Sequence, residues 1–129
     1  MNIEVLVEES KKVMSNAHVP YSNYHVGVAL LGKSGKIYTG CNVENHGIQS
    51  ICAERVAFTK AISEGEKEFL SLVVSGGRNR DDLDHCLPCG YCRQFMSEFV
   101  GPDFPIYVVD NDKVTKYTLE ELLPNSFKL

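Results

Sequence analysis

The stretch His25-Val26-Gly27-Val28-Ala29-Leu30-Leu31, then Lys33-Ser34-Gly35-Lys36, then Ile37-Tyr38-Thr39-Gly40-Cys41-Asn42-Val43 reads as two extended segments around a glycine turn. It predicts an antiparallel hairpin. After a polar segment, Asn45 to Ser50, the run from Cys52 to Ser63 is rich in helix formers and meets no Pro or Gly before Gly65, which predicts a largely buried helix.

Upstream, Ile3, Leu6, Val13, Met14 and Ala17 fall near one face of a 3.6-residue period, with Glu4, Glu8, Glu9, Lys11 and Lys12 mostly opposite. An amphipathic helix is expected there, ending before Pro20. Downstream, Leu70-Ser71-Leu72-Val73-Val74-Ser75 predicts an interior strand that stops at Gly76-Gly77, followed by a charged loop from Arg78 to Asp84. Pro88 is expected to open a helix over Cys89 to Phe99, since proline at a first helical position loses no hydrogen bond. Ile106 to Val109 gives a fourth strand and Lys113 to Tyr117 a fifth. Thr118 then caps a short helix that Pro124 stops. This order implies a mixed sheet with helices on its faces. With 129 residues, 43% of them hydrophobic, the chain reads as one domain over residues 1–129.

Thirteen Lys and Arg against seventeen Asp and Glu leave a formal charge of -4, which argues against a protein that follows a nucleic-acid backbone and favours a small-molecule partner. No run approaches the roughly 20 apolar residues of a membrane span. Met1-Asn2-Ile3-Glu4-Val5 lacks the basic region and apolar block of a secretory signal, so a reducing, cytoplasmic setting is expected. In that setting the five cysteines are metal ligands, catalytic groups or small buried residues rather than a disulfide framework.

Three of those cysteines are placed for metal chemistry. Cys52 stands at the start of one predicted helix, Cys89 and Cys92 at the start of another. In Cys89-Gly90-Tyr91-Cys92 the two-residue spacer lets both sulfurs reach one metal, and Gly90 permits the turn. A helix N-terminus also favours thiolate. Three protein ligands leave a position for water, as catalytic rather than structural zinc requires. Glu54 can then exchange protons with that water, and Arg55 can offset part of the thiolate charge. Alone, Cys-x-x-Cys equally fits a thiol redox pair or half of a four-ligand structural zinc site. Cys52-x-Glu54 followed by Pro88-Cys89-x-x-Cys92 matches the pattern of zinc-dependent deaminases in its three-cysteine form.

Through Pro20-Tyr21-Ser22, Val26-Gly27-Val28-Ala29-Leu30, Gly40-Cys41-Asn42-Val43-Glu44-Asn45, Cys52-Ala53-Glu54-Arg55, Pro88-Cys89-Gly90-Tyr91-Cys92-Arg93-Gln94 and Leu122-Leu123-Pro124, nearly the whole chain resembles the small homotetrameric cytidine deaminases. The resemblance implies a three-layer α/β/α sandwich with a five-stranded mixed sheet. It also implies hydrolysis of cytidine or deoxycytidine to the uridine product and ammonia, as in pyrimidine salvage. Cys52, Cys89 and Cys92 would bind zinc, and Glu54 would shuttle protons. Asn42 and Glu44 align with ribose-binding residues, Tyr24 falls where a phenylalanine usually meets the base, Ala53 is assigned to the substrate, and Phe127 falls near an aromatic that reaches a neighbouring subunit's site. Two departures bear on substrate identity: the segment His46 to Ile51 looks one residue short and lacks the usual tyrosine, and Leu87 replaces a frequent serine.

His85 and Cys86 are read as loop residues, the thiol buried or idle, Cys41 as a small strand residue, and His46 as a solvated loop residue or a substrate contact. A deaminase of the blasticidin type shares the Cys-Ala-Glu and Pro-Cys-Gly-x-Cys-Arg core, but the intact Asn42-Val43-Glu44-Asn45 favours an ordinary nucleoside. A nucleic-acid-editing deaminase would need a basic or aromatic stripe that this acidic chain lacks. A structural zinc module would enlist Cys86 or His85 and leaves Glu54 unexplained; a redox protein on Cys89 and Cys92 leaves Cys52 unexplained.

Overall fold

The computed structural model describes residues 2–46 and 49–127. Its first helix, α1 (Ile3–Val13), begins at Asn2, whose side chain accepts the Glu4 N–H, and ends on Lys11 and Lys12, which face the negative end of the helix dipole. A single 3-10 turn, Met14–Asn16, finishes the expected helical stretch. The predicted hairpin is present as β1 (His25–Gly32) and β2 (Ile37–Cys41), with Gly35 in the turn at φ +93°.

Next come α2 (Ala53–Ser63), β3 (Phe69–Asn79), β4 (Asp82–Asp84) and α3 (Gly90–Met96), followed by β5 (Pro105–Val109), β6 (Val114–Thr118) and α4 (Leu119–Leu122). The sheet order is β2-β1-β3-β5-β6, with β4 paired to β3. β3 runs parallel to β5, and the other pairings are antiparallel. The sheet thus has six strands rather than the five expected.

Side-chain alternation divides the core into two. Val28, Leu30, Leu72, Val74, Ile106 and Val108 pack with Ala57, Phe58, Met96 and Leu119 from α2, α3 and α4. Ala29, Leu31, Val73 and Val109 pack with Leu6 and Met14 on the other side. Three layers result, α/β/α.

One glycine on each face sets how closely a helix approaches. A Cβ at Gly27 would lie 2.0 Å from the Ser10 carbonyl oxygen of α1, and a Cβ at Gly40 would lie 2.5 Å from the Ala53 carbonyl oxygen and 2.7 Å from the Ala57 nitrogen of α2. Gly40, paired with Val28, is the second-last residue of β2, so its contact with Ala53 and Ala57 sets the start of α2 beside the end of that strand.

Two expectations are corrected. β3 does not stop at Gly76-Gly77 but continues to Asn79 and turns back as β4, where a loop was expected. These glycines are contact points: a Cβ on Gly77 would lie 2.1 Å from the Asp82 carbonyl oxygen, and one on Gly76 would lie 2.6 Å from Cys86 Sγ. The third helix is also shorter than 89–99, and Cys89 is its N-cap, accepting the Cys92 N–H, so Pro88 stands just outside it. Thr118 and Glu121 form a reciprocal capping box on α4. No helix among the described residues is long and apolar enough to cross a membrane.

Candidate metal and proton-transfer site

Cys52 is the N-cap of α2 and Cys89 the N-cap of α3, with Cys92 in the first turn of the same helix. Cys89 Sγ lies 3.7 Å from Cys52 Sγ and 3.5 Å from Cys92 Sγ, and all three sulfurs fall within 4.8 Å of one another. Thiolates about 2.3 Å from a tetrahedral zinc ion stand about 3.8 Å apart, so the donor set and its spacing fit zinc. The five cysteines are all free thiols. The neighbouring thiols and Arg55 hold the Cys52 thiol below its ordinary range, while the charge of Cys52 and burial push the Cys92 thiol up.

Glu54 occupies the second position of α2 and is only 4% exposed. Burial pushes its carboxyl up to about 7, with the Cys52 charge adding to the rise, against its own backbone N–H and the Arg55 charge, which favour the anion. A buried carboxyl that gains and loses a proton near neutrality suits general acid/base work. Arg55 points back at the sulfurs: its Nη2 donates to Cys52 Sγ at 3.7 Å and to the Ser50 carbonyl at 3.4 Å.

Asn42 and Glu44 reach the cavity beside Cys52, of about 480 Å³, which Tyr21, Asn45, Ser50 and Ile51 also line. Both side chains are framework members too. Asn42 accepts the Val26 N–H through Oδ1 and donates through Nδ2 to the Tyr24 carbonyl, each at 2.9 Å. Glu44 accepts the Tyr21 and Ser22 N–H groups at 3.0 and 3.2 Å and the Ser22 hydroxyl, which keep its carboxyl below the usual range.

The other expected residues are placed differently. Ala53 is fully buried over Gly40. Tyr24 does not line that cavity; it is half-buried, its ring edge at 3.3 Å from where a Gly76 Cβ would stand, and burial beside Cys86 raises its hydroxyl pKa. Cys86 packs under Tyr24 outside the sulfur cluster, and burial pushes its thiol up to about 11. His85 is engaged elsewhere, its two ring nitrogens 3.1 Å from Asp110 Oδ2 and 2.8 Å from the Tyr117 hydroxyl. Neither one completes a fourth protein ligand. Cys41 is half-buried at the end of β2.

His46 lies edge-on to Tyr21 at 6.4 Å; within the shortened segment, Gly47 and Ile48 lie outside the described residues. Phe127 is 63% exposed, its carbonyl accepting from Gln94 Nε2. Tyr21, Ser50 and Ile51 were not singled out individually from sequence, nor was Tyr91, which stacks on Arg55. The pairing of Val43 with Ile51, which brings the far side of the loop to the cavity, has no local sequence signal.

A family profile described as the cytidine and deoxycytidylate deaminase zinc-binding region matches residues 1–108. A cytidine deaminase of Sporosarcina psychrophila is 42% identical over 129 residues, covering 98% of this chain and 92% of that one. A blasticidin-S deaminase of Bacillus cereus is 34% identical over 108 residues, covering 80% and 76%. Among solved structures, a cytidine deaminase from Burkholderia pseudomallei superposes with a TM-score of 0.90 at 34% identity, covering 98% of this chain and all of that one.

Proposed function

The chain belongs to the zinc-binding cytidine and deoxycytidylate deaminases, and from that membership we propose that it hydrolyses cytidine and deoxycytidine to uridine and deoxyuridine, releasing ammonia. The observation that carries this reading is the union of three thiols converging from two helix starts with a buried carboxyl in the first turn of α2. Zinc bound by Cys52, Cys89 and Cys92 supplies the Lewis acidity that makes water nucleophilic near neutral pH. Glu54 accepts a proton from the attacking water and delivers it to the ring nitrogen, then takes the proton of the newly added hydroxyl and passes it to the departing amine. Its burial supports this role, because a solvated carboxyl would be too weak a base and too rarely protonated to serve both steps. Arg55 offsets part of the thiolate charge.

Asn42 and Glu44 bind the sugar hydroxyls in this reading, supported by their place on the wall beside Cys52. Beyond its framework bonds the amide keeps a second N–H and a second lone pair, and the carboxylate keeps spare lone pairs. Tyr24 is assigned to the base on resemblance. Phe127 is assigned to a neighbouring copy's site, which its exposure supports, within a homotetramer. The free thiols support a reducing, cytoplasmic setting.

Ammonia release from cytidine by the purified, zinc-loaded protein tests the proposal. Rapid release supports it. A protein that holds one zinc per chain yet leaves cytidine untouched would redirect the search to modified cytosine nucleosides of the blasticidin type.

A further inference from the structure

We propose that Tyr91 is a positioning residue: its ring pins the Arg55 guanidinium against the Cys52 sulfur and so slows the escape of zinc from the thiolate site. This inference rests on the zinc reading above and concerns how firmly the site holds its metal.

Arginine has five donors in a planar fork and is ordinarily fixed by a carboxylate that takes two of them. Arg55 has no such partner among the described residues. Its polar contacts are long, 3.4 Å to the Ser50 carbonyl and 3.7 Å to Cys52 Sγ, and its Nε is sealed from solvent with no acceptor. Those contacts are too weak to hold a long, rotamer-rich side chain in one place.

What remains is the face of the guanidinium. The Tyr91 ring centroid lies 4.3 Å from Arg55 Cζ, well inside the distance at which a cation is attracted to an aromatic face. Tyr91 is 67% exposed, so its ring fills no core position that would explain it. It sits between Cys89 and Cys92 in the first turn of α3, and it reaches across to α2. The helix that supplies two sulfurs therefore also supplies the cover for the cation beside the third.

Three thiolates leave a divalent ion with a surplus negative charge, which the Arg55 cation offsets only while it stays close. Removing the ring frees the arginine to swing into solvent. Cys52 Sγ then loses its donor, the three thiolates repel one another with less compensation, and the ion is easier to withdraw.

The test follows zinc transfer from the holoprotein to an excess of a chromogenic chelator. Tyr91→Leu should accelerate transfer about 3- to 10-fold, the range expected from losing one cation–π contact. Tyr91→Phe, which keeps the aromatic face and loses only the hydroxyl, should stay near the wild-type rate. Tyr91→Gln gives a second removal of the face should the leucine variant fold poorly. In an Arg55→Gln background, Tyr91→Leu should add nothing. Wild-type rates in both Tyr91→Leu and Tyr91→Gln, or an acceleration that persists without Arg55, would overturn the proposal while leaving the zinc reading intact. A wild-type chain that retains no zinc would overturn that reading and this proposal with it.

Discussion

Gly27 and Gly40 do the same mechanical work on opposite faces of the sheet, each letting helix backbone approach a strand where no side chain would fit. What lies above them differs. Over Gly27, the buried Ser10 hydroxyl donates to the Val7 carbonyl of its own helix at 2.8 Å and stands 2.7 Å from the buried Ser75 hydroxyl, so this neutral pair is satisfied, while His25 Nδ1 on the same face is buried without a partner among the described residues. Over Gly40 lies the first turn of α2, carrying a buried ionisable Glu54 and an Arg55 whose Nε has no partner. The same packing device holds a neutral hydroxyl pair on the α1 face, whereas on the α2 face it also fixes a buried carboxyl that a structure built only for stability would not bury.

The largest effect should come from removing the chemistry on the α2 face without disturbing its packing. Glu54→Gln should cut deamination by about 10³-fold or more, within the span of general acid/base catalysis, while zinc content measured on the purified protein stays at one per chain. A variant keeping a tenth of wild-type turnover would show that the buried carboxyl is not the proton carrier.

Gly40→Ala comes next. Its methyl must displace α2, so melting should report a loss of about 2 to 3 kcal/mol, and both zinc retention and turnover of the folded fraction should fall. Gly27→Ala should cost a comparable 2 to 3 kcal/mol, roughly, by displacing α1, yet leave kcat of the folded protein within about twofold of wild type. Equal catalytic damage from the two glycines would erase the contrast between the faces. The smallest effect is expected for Ser10→Ala, about 1 to 2 kcal/mol from stranding the Ser75 hydroxyl, with the Ser10→Ala, Ser75→Ala double variant recovering part of it in denaturant unfolding.

The sulfur cluster is the most legible part of the chain, because a chelating site imposes a short spacing on Cys89 and Cys92, and helix starts can be recognised from local residues. The hairpin and the first helix were legible for a similar reason: period and turn chemistry are local. The continuation of β3 was not. Gly76 and Gly77 carry the usual signature of a strand end, and only the approach of Cys86 and Asp82 from later in the chain gives them another purpose. Pro88 was placed one step inside its helix because the N-cap is a cysteine, a residue whose capping follows here from its sulfur accepting the Cys92 N–H. His85 illustrates the same limit, since its partners Asp110 and Tyr117 come from the far hairpin. Asn42 and Glu44 were found through resemblance, and their framework bonds to residues 16 to 23 positions away had no sequence signal.

Those bonds give Asn42 an unusual standing. Its amide substitutes for a rung of the sheet, bridging the Tyr24 carbonyl and the Val26 N–H where β1 begins. The rotamer that would meet a sugar is therefore selected during folding, and the ligand does not have to freeze it on arrival. A free asparagine on a loop would lose its rotamer freedom with every binding event. With Asn42 in the proposed sugar-binding role, the entropy of recognition moves from the encounter into the fold, so that loosening this corner of the hairpin would weaken affinity without altering any group that touches the substrate.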